Sequence, residues 1–149
     1  MRIALYEPEI AQNVGAVLRL GACLGVAVDL IEPLGFAWDD KRVRHTAMDY
    51  IDAVTITRHD DFATFRAAVP GRLVLLSTKG EQSPYDYVFD RHDILLLGKE
   101  SGGVPASVAA VCDAILRIPI RAEVRSLNLA TAAALALGEA LRQTSGLPQ

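Results

Sequence analysis

Residues 93–105 read DILLLGKESGGVP. The first half is an apolar run without polar alternation, the pattern of a strand covered on both faces. The second half breaks into three glycines with Lys99 and Glu100 among them. Glycine loses the most backbone freedom on folding, so a cluster of it at a strand exit marks a tight turn or a close approach of backbone to a ligand. Residues 72–78, RLVLLST, repeat the theme: a buried run that ends in polar residues.

Working outward, apolar runs alternate with helical periodicity. Strands are expected at Arg2–Tyr6, Val26–Ile31, Ala53–Thr57, Arg72–Thr78, Asp93–Leu97 and Ala114–Ile120. The first helix is expected over Ile10–Leu24, where Ile10, Val14, Val17, Leu18, Gly21 and Leu24 share one face. Asn13 caps that helix or sits in its first turn. Further helices are expected from Asp39 or Asp40 through His45, over Asp60–Val69, Val104–Val111 and Leu127–Arg142. The alternation implies an α/β fold, a mostly parallel sheet flanked by helices. In such sheets ligands bind beyond the carboxyl ends of the strands. The loops Ser77–Ser83, Gly98–Gly103 and Arg121–Ser126 leave there together.

A length of 149 residues favours a single domain, 1–149. With 51% hydrophobic and 22% charged residues the composition is that of a globular chain rather than a disordered one. The start, MRIALYEPE, meets Glu7 and Pro8 before an apolar run can form, so no signal peptide is expected. No stretch reaches the roughly 20 apolar residues of a membrane span. Cys23 and Cys112 are far apart and read as free thiols, which points to the cytoplasm. A net charge of −3 argues against coating nucleic acid by bulk electrostatics but leaves room for a local basic patch. The one dense cluster is 39-DDKRVRH-45. Lys41, Arg42 and Arg44 suit RNA phosphate contacts; a solvated helix with its acids at the N-terminus is the alternative. Phe36 and Trp38 nearby are core residues or base-stacking ones.

The ligand class follows from what the loops lack. There is no G-x-G-x-x-G turn and no G-x-x-x-x-G-K-[ST] loop. His45, His59 and His92 are scattered, so no zinc site is expected, and there is no G-x-S-x-G elbow. A ligand held by backbone edges and apolar walls, without a phosphate cradle, suits an adenosine-type cofactor. In Leu127–Arg142 the strongly polar residues Asn128, Thr131, Glu139 and Arg142 fall on one side. A helix apolar over the rest of its circumference is buried, and at the end of a small chain that suggests the same helix of a second copy.

Three ordered segments, Asn13–Arg19 (N-x-G-x-x-x-R), LLLGKESGGVP and IPI…RSLNLATA, resemble the motifs of the SPOUT superfamily of S-adenosylmethionine-dependent RNA methyltransferases. LYEPEI, IEPLGFAWDDKRVRHTAMDY and STKG resemble in particular the small stand-alone tRNA 2′-O-methyltransferases of the wobble nucleotide, position 34. The resemblance covers nearly the whole chain. It departs at Lys99 and Gly102, where relatives commonly carry proline and arginine.

The resemblance implies a deep C-terminal trefoil knot, the SPOUT fold, and a homodimer acting on the tRNA anticodon loop without a metal. It implies S-adenosylmethionine held near Leu76, Gly98, Ile118 and Ser126, and Arg19 as the catalytic residue, with Glu100 and Asn128 beside it. Asn13 and Arg125 join Lys41, Arg42 and Arg44 on the substrate side. A guanidinium is permanently charged, so Arg19 is expected to orient ribose and phosphate and to stabilise developing alkoxide charge rather than to act as a base. Gly15, one turn earlier on the same face, is expected to leave space beside it. The alternative for Arg19 is a surface ion pair with Glu7 or Glu9. For the whole chain the alternatives are a methyltransferase of ribosomal RNA and a non-catalytic RNA-binding knot domain.

Overall fold

A computed structural model describes residues 1–149. The strands are β1 (Arg2–Tyr6), β2 (Ala27–Ile31), β3 (Ile56–His59), β4 (Leu73–Leu76), β5 (Ile94–Leu97) and β6 (Ala114–Leu116). The helices are α1 (Ala11–Leu24), α2 (Asp40–Thr46), α3 (Phe62–Ala68), α4 (Ala106–Ala109) and α5 (Leu129–Gln143), with a 3-10 turn at Tyr50–Ala53. The strands form one six-stranded sheet in the order β3-β2-β1-β5-β4-β6. Every pairing is parallel.

The continuous apolar runs have the expected cause. Ile3, Leu5, Val74, Leu95 and Leu97 face one apolar cluster with α1 and α5. Their neighbours Ala4, Tyr6, Leu73, Leu75, Ile94 and Leu96 face a second cluster with Phe65 and Val108. Each strand alternates faces, and both faces are covered. Gly21 lets α1 lie close to β2, since a Cβ there would stand 2.6 Å from Val26 O. Two buried carboxylates, Asp29 within β2 and Asp93 just before β5, are tied down. Asp29 accepts from Arg2 Nε at 2.7 Å and lies 2.8 Å from His59 Nε2. Asp93 accepts from Arg72 Nε at 2.7 Å and from the Asp90 N–H at 2.8 Å.

Three strands differ from expectation by two residues or more at a limit. The third strand begins at Ile56, not Ala53, because residues 50–53 close a 3-10 turn. It runs on to His59, whose ring meets Asp29. The fourth ends at Leu76, where the Ser77 N–H crosses to Leu116 O. The sixth ends at Leu116 instead of Ile120, because Arg117 donates its N–H to Gln82 O in the 77–92 loop. Asp39 caps α2 and Asp61 caps α3. Ile10 precedes α1 without a side-chain cap, which puts Asn13 in the first turn. No helix is long and apolar enough to cross a membrane.

Candidate active site

Leu97, Leu76 and Leu116 lie in adjacent registers at the carboxyl edge of β5, β4 and β6. The chain leaves this edge in three tight pieces. The 98–103 loop closes on itself: Lys99 N–H donates to Gly103 O at 3.1 Å and Gly103 N–H to Lys99 O at 2.8 Å. A Cβ at Gly98 would stand 2.5 Å from the Gly103 backbone, and Gly103 has φ +65. Both glycines are therefore required by geometry. A Cβ at Gly80 would stand almost as close to backbone, 2.6 Å from Leu116 C.

The third piece, residues 117–127, is the most open. Within it the main chain forms two bonds to the rest of the chain or to itself, Arg117 N–H to Gln82 O and Val124 N–H to Arg121 O. The other N–H and C=O groups from Ile118 to Ser126 are free to receive a ligand. Ile118 and Ile120 are half-buried beside them. A backbone edge with apolar walls fits the adenine and ribose of a nucleoside cofactor. Leu76 and Gly98 adjoin it across the sheet edge, and Ser126 stands two residues before the cap of α5. Arg125 is exposed in the same segment.

Across this edge three side chains form one row. Glu100 Oε1 accepts from Asn13 Nδ2 at 3.2 Å, and Asn13 Oδ1 accepts from Asn128 Nδ2 at 2.9 Å. Asn128 Oδ1 accepts the N–H groups of Ala130 and Thr131 at 2.9 and 3.3 Å, capping α5. Both ends of each amide are used, which fixes its orientation. Glu100 Oε2 accepts the Glu9 N–H at 2.8 Å. The Glu9 carboxylate in turn accepts the Ser101 hydroxyl at 2.6 Å and the Ser101 N–H at 2.9 Å. Those two bonds hold the Glu9 carboxyl below the usual carboxylate range. Lys99 Nζ lies 3.6 Å from Glu7 Oε2.

Arg19 is exposed on α1 and pairs with neither Glu7 nor Glu9. Its Nη1 donates to Met48 Sδ at 2.6 Å, and its guanidinium lies over the Tyr50 ring, 5.5 Å from the centroid. It borders a groove of about 410 Å³ between α1 and α5, with Ala16, Leu20, Cys23, Ala130 and Ala134 as the apolar lining. Gly15 does not leave room for the guanidinium. A Cβ there would stand 2.4 Å from Thr46 Cγ2, so Gly15 serves the packing of α2 on α1.

Met48 also borders a wider depression of about 780 Å³ with Lys41, Arg42, Arg44 and His45. Arg44 is engaged there by Asp52 at 2.8 Å, which raises its pKa and lowers that of Asp52. Trp38 donates its Nε1–H to Asp40 at 2.6 Å and carries Arg58 over its ring, 5.1 Å from the centroid. Phe36 and Trp38 pack against the larger core cluster.

The row thus joins Asn13, Glu100 and Asn128, with Arg19 further along α1 beside the start of α5. Sequence reasoning missed Glu9, Ser101, Met48 and Tyr50. Ser101 lay inside the quoted loop, Glu9 inside LYEPEI, and Met48 and Tyr50 inside IEPLGFAWDDKRVRHTAMDY; their place in those segments was the signal, but none was singled out for the site. No group of three or more His, Cys, Asp or Glu side chains stands close enough to hold a metal ion.

The model of the SpoU rRNA Methylase family matches residues 1–138. The chain is 53% identical over 148 residues to a tRNA (cytidine(34)-2'-O)-methyltransferase of Beijerinckia indica, covering 97% of this chain and 92% of that one. It is 42% identical over 146 residues to the protein of that name from Escherichia coli K12, covering 96% and 93%. A solved chain described as "Structural insights into the 2-OH methylation of C/U34 on tRNA" superposes with a TM-score of 0.92 at 43% identity, covering 97% and 96%. The SpoU methyltransferase AviRb from Streptomyces viridochromogenes, solved with the cofactor AdoMet, superposes with a TM-score of 0.87 at 25% identity, covering 96% of this chain and 57% of that one.

Proposed function

Since the chain belongs to the SpoU rRNA Methylase family, we propose that it transfers a methyl group from S-adenosylmethionine to the ribose 2′-oxygen of the wobble pyrimidine, position 34, in the tRNA anticodon loop. The observation that carries this reading is the row Glu100–Asn13–Asn128, which ties all three motif segments into one polar surface beside the open backbone edge at 117–127. Relatives of nearly equal length named for cytidine 34 favour this substrate over ribosomal RNA.

S-adenosylmethionine, when bound, supplies an electrophilic sulfonium methyl. Leu76, Gly98, Ile118 and Ser126 line its place along the carboxyl edge of β4, β5 and β6. The protein's contribution is alignment, with reacting atoms held about 3–3.5 Å apart. Arg19 is placed to orient the ribose and its phosphate and to stabilise charge growing on the 2′-oxygen. Asn13, Glu100 and Asn128 offer amide and carboxylate partners to the ribose hydroxyls. Lys41, Arg42, Arg44 and Arg125 contact phosphates, giving affinity and position without reading sequence.

The proposal extends to the assembly. The chain forms one methyltransferase domain, 1–149, whose C-terminal segment makes a deep trefoil knot. The passage of 116–117 against Gly80 and Gln82 before α5 returns to α1 supports that threading. Two copies pair across the apolar groove of α1 and α5, which brings Arg19 to the subunit boundary. The substrate places the protein in the cytoplasm.

The test is incubation of the protein with labelled S-adenosylmethionine and unmodified tRNA, followed by nucleoside mapping. A 2′-O-methylated pyrimidine at position 34 is the expected product. Label at another position, or in ribosomal RNA alone, rejects the assignment.

A further inference from the structure

Glu9 has been given no role in the site above, yet it joins two segments at the mouth of the sheet. From the turn between β1 and α1 its carboxylate reaches the 98–103 loop: Oε1 accepts the Ser101 hydroxyl at 2.6 Å and Oε2 the Ser101 N–H at 2.9 Å. Its own N–H runs the other way, to Glu100 Oε2 at 2.8 Å. The Gly35 backbone packs closely on that of Glu9. A Cβ at Gly35 would stand 2.7 Å from Glu9 Cα, and the Gly35 N–H donates to Pro8 O at 2.9 Å.

The loop that Glu9 grips is closed at its base by the two Lys99–Gly103 backbone bonds, but at its tip the one main-chain bond is Gly102 N–H to Lys99 O at 3.4 Å. Gly98, Gly102 and Gly103 surround residues 99–101, and glycine restricts the backbone least. Glu100 has no cationic partner; its carboxylate is held by N–H donors of Glu9 and Asn13. Its position therefore depends on where Ser101 and the loop backbone sit. Hydrogen bonds to a carboxylate are about twice as strong as neutral ones, and Glu9 takes two of them from one residue.

We propose that Glu9 is a positioning residue for methyl transfer: by gripping Ser101 it keeps Glu100 in register with Asn13 and Asn128. This rests on the function proposed above. The backbone edge at 117–127 is not in this linkage, and Gly98 is seated by its own close approach to the Gly103 backbone rather than by Glu9, so the grip acts on the transfer step and leaves cofactor affinity nearly unchanged. The depressed Glu9 carboxyl pKa agrees with a carboxylate that stays charged while holding the loop.

The experiment compares the wild type with Glu9→Gln, Glu9→Ala, Ser101→Ala and the double variant Glu9→Ala/Ser101→Ala, all as full-length protein with unmodified tRNA. Loss of one charge-assisted contact predicts kcat lowered about tenfold in Glu9→Ala. Glu9→Gln, which retains one acceptor, falls between. The affinity for S-adenosylmethionine, measured by calorimetry, stays within about twofold. The double variant is no slower than Glu9→Ala, because both changes break one contact. Wild-type kcat in Glu9→Ala, additive losses in the double variant, or weakened cofactor binding at unchanged kcat each overturn the proposal. If Glu9→Ala does not fold, Glu9→Gln and Ser101→Ala decide by the same criteria. A wild type that methylates no tRNA sinks the function reading itself, whereas an active wild type with indifferent variants sinks only the role of Glu9.

Discussion

Asn128 Nδ2 donates to Asn13 Oδ1 at 2.9 Å across 115 positions of sequence, while Asn128 Oδ1 caps α5. One amide thus does two separable things. The cap stabilises the last helix, and the donor end fixes the row that reaches Glu100. Asn128→Ala removes both and is expected to cost about 1 kcal/mol of stability, the usual scale for a lost N-cap, together with most of the activity. Asn128→Asp keeps the capping oxygen and removes the donor. It should melt close to the wild type yet lose about tenfold or more in kcat. Thermal melts beside methyl-transfer rates separate the two; an active Asn128→Asp enzyme contradicts the role given to the row.

Arg19 touches Met48 and Tyr50 and is exposed, so little of the fold depends on it. Arg19→Ala is expected to leave stability within about 0.5 kcal/mol, as exposed substitutions usually do. Cofactor binding should survive and methyl transfer should be lost. Arg19→Lys restores charge without the planar fork and should recover little. Turnover near wild type in Arg19→Ala would remove the catalytic assignment.

The sheet was legible because burial on two faces writes itself as unbroken apolar runs, as in Leu95–Leu97, and the glycine loop after it marked the tight turn at the carboxyl edge. The segment Arg117–Ile120 misled for a physical reason. Its residues suit a strand, but Gln82 takes the Arg117 N–H and nothing pairs with 118–120. The third strand slipped because a 3-10 turn takes residues 50–53 at its start and a buried Asp29–His59 contact, which no local pattern reveals, lies at its end. In the candidate site, the residues that meet in the row Glu100–Asn13–Asn128 had been singled out, and their supports had not. Glu9 and Ser101 meet across 92 positions. Gly15 read as space for Arg19, whereas its neighbour is Thr46 of a helix whose docking the sequence does not specify.

Gly98 offers a sharper test of the cofactor edge. A Cβ there would stand 2.5 Å from the backbone of Gly103, which cannot swing aside as a side chain could. Gly98→Ala is expected to destabilise by about 1–3 kcal/mol, the range for overpacking, and to weaken S-adenosylmethionine binding. Denaturant unfolding and calorimetry measure the two effects. Unchanged affinity in a folded Gly98→Ala protein would move the cofactor away from this loop.

The Glu9–Ser101 contact should fade in acid with a definite sign. The Glu9 carboxyl sits below its ordinary value of 4.5 in the folded chain. The unfolded chain therefore takes up this proton at higher pH than the folded one. The contact contributes fully above 4.5 and is lost as pH falls through the depressed value. Melting temperatures of wild type and Glu9→Gln, followed from neutral pH downward, should differ above that window and converge below it. A gap that stays constant into strong acid would mean that the carboxylate charge is irrelevant to the contact.

The basic depression makes the last prediction, and Arg44 complicates it. Lys41 and Arg42 line the depression without an ion-pair partner, whereas Arg44 is held by Asp52 at 2.8 Å. A phosphate must compete with that carboxylate, although an exposed, solvent-screened pair is weak. Each phosphate contact by Lys or Arg contributes roughly 0.7–0.9 to the slope of log affinity against log salt. Replacing Lys41 and Arg42 together by Gln should therefore weaken tRNA binding and flatten the slope by about 1.5. Arg44→Gln alone should flatten it less, because the wild-type arginine already has a counter-charge. Asp52→Asn frees Arg44 and should steepen the slope if Arg44 then reaches phosphate. Filter binding of tRNA across a salt series reads all three variants. An unchanged slope in the Lys41/Arg42 variant would remove this face from the RNA interface and leave α2 as a solvated helix packed on Gly15.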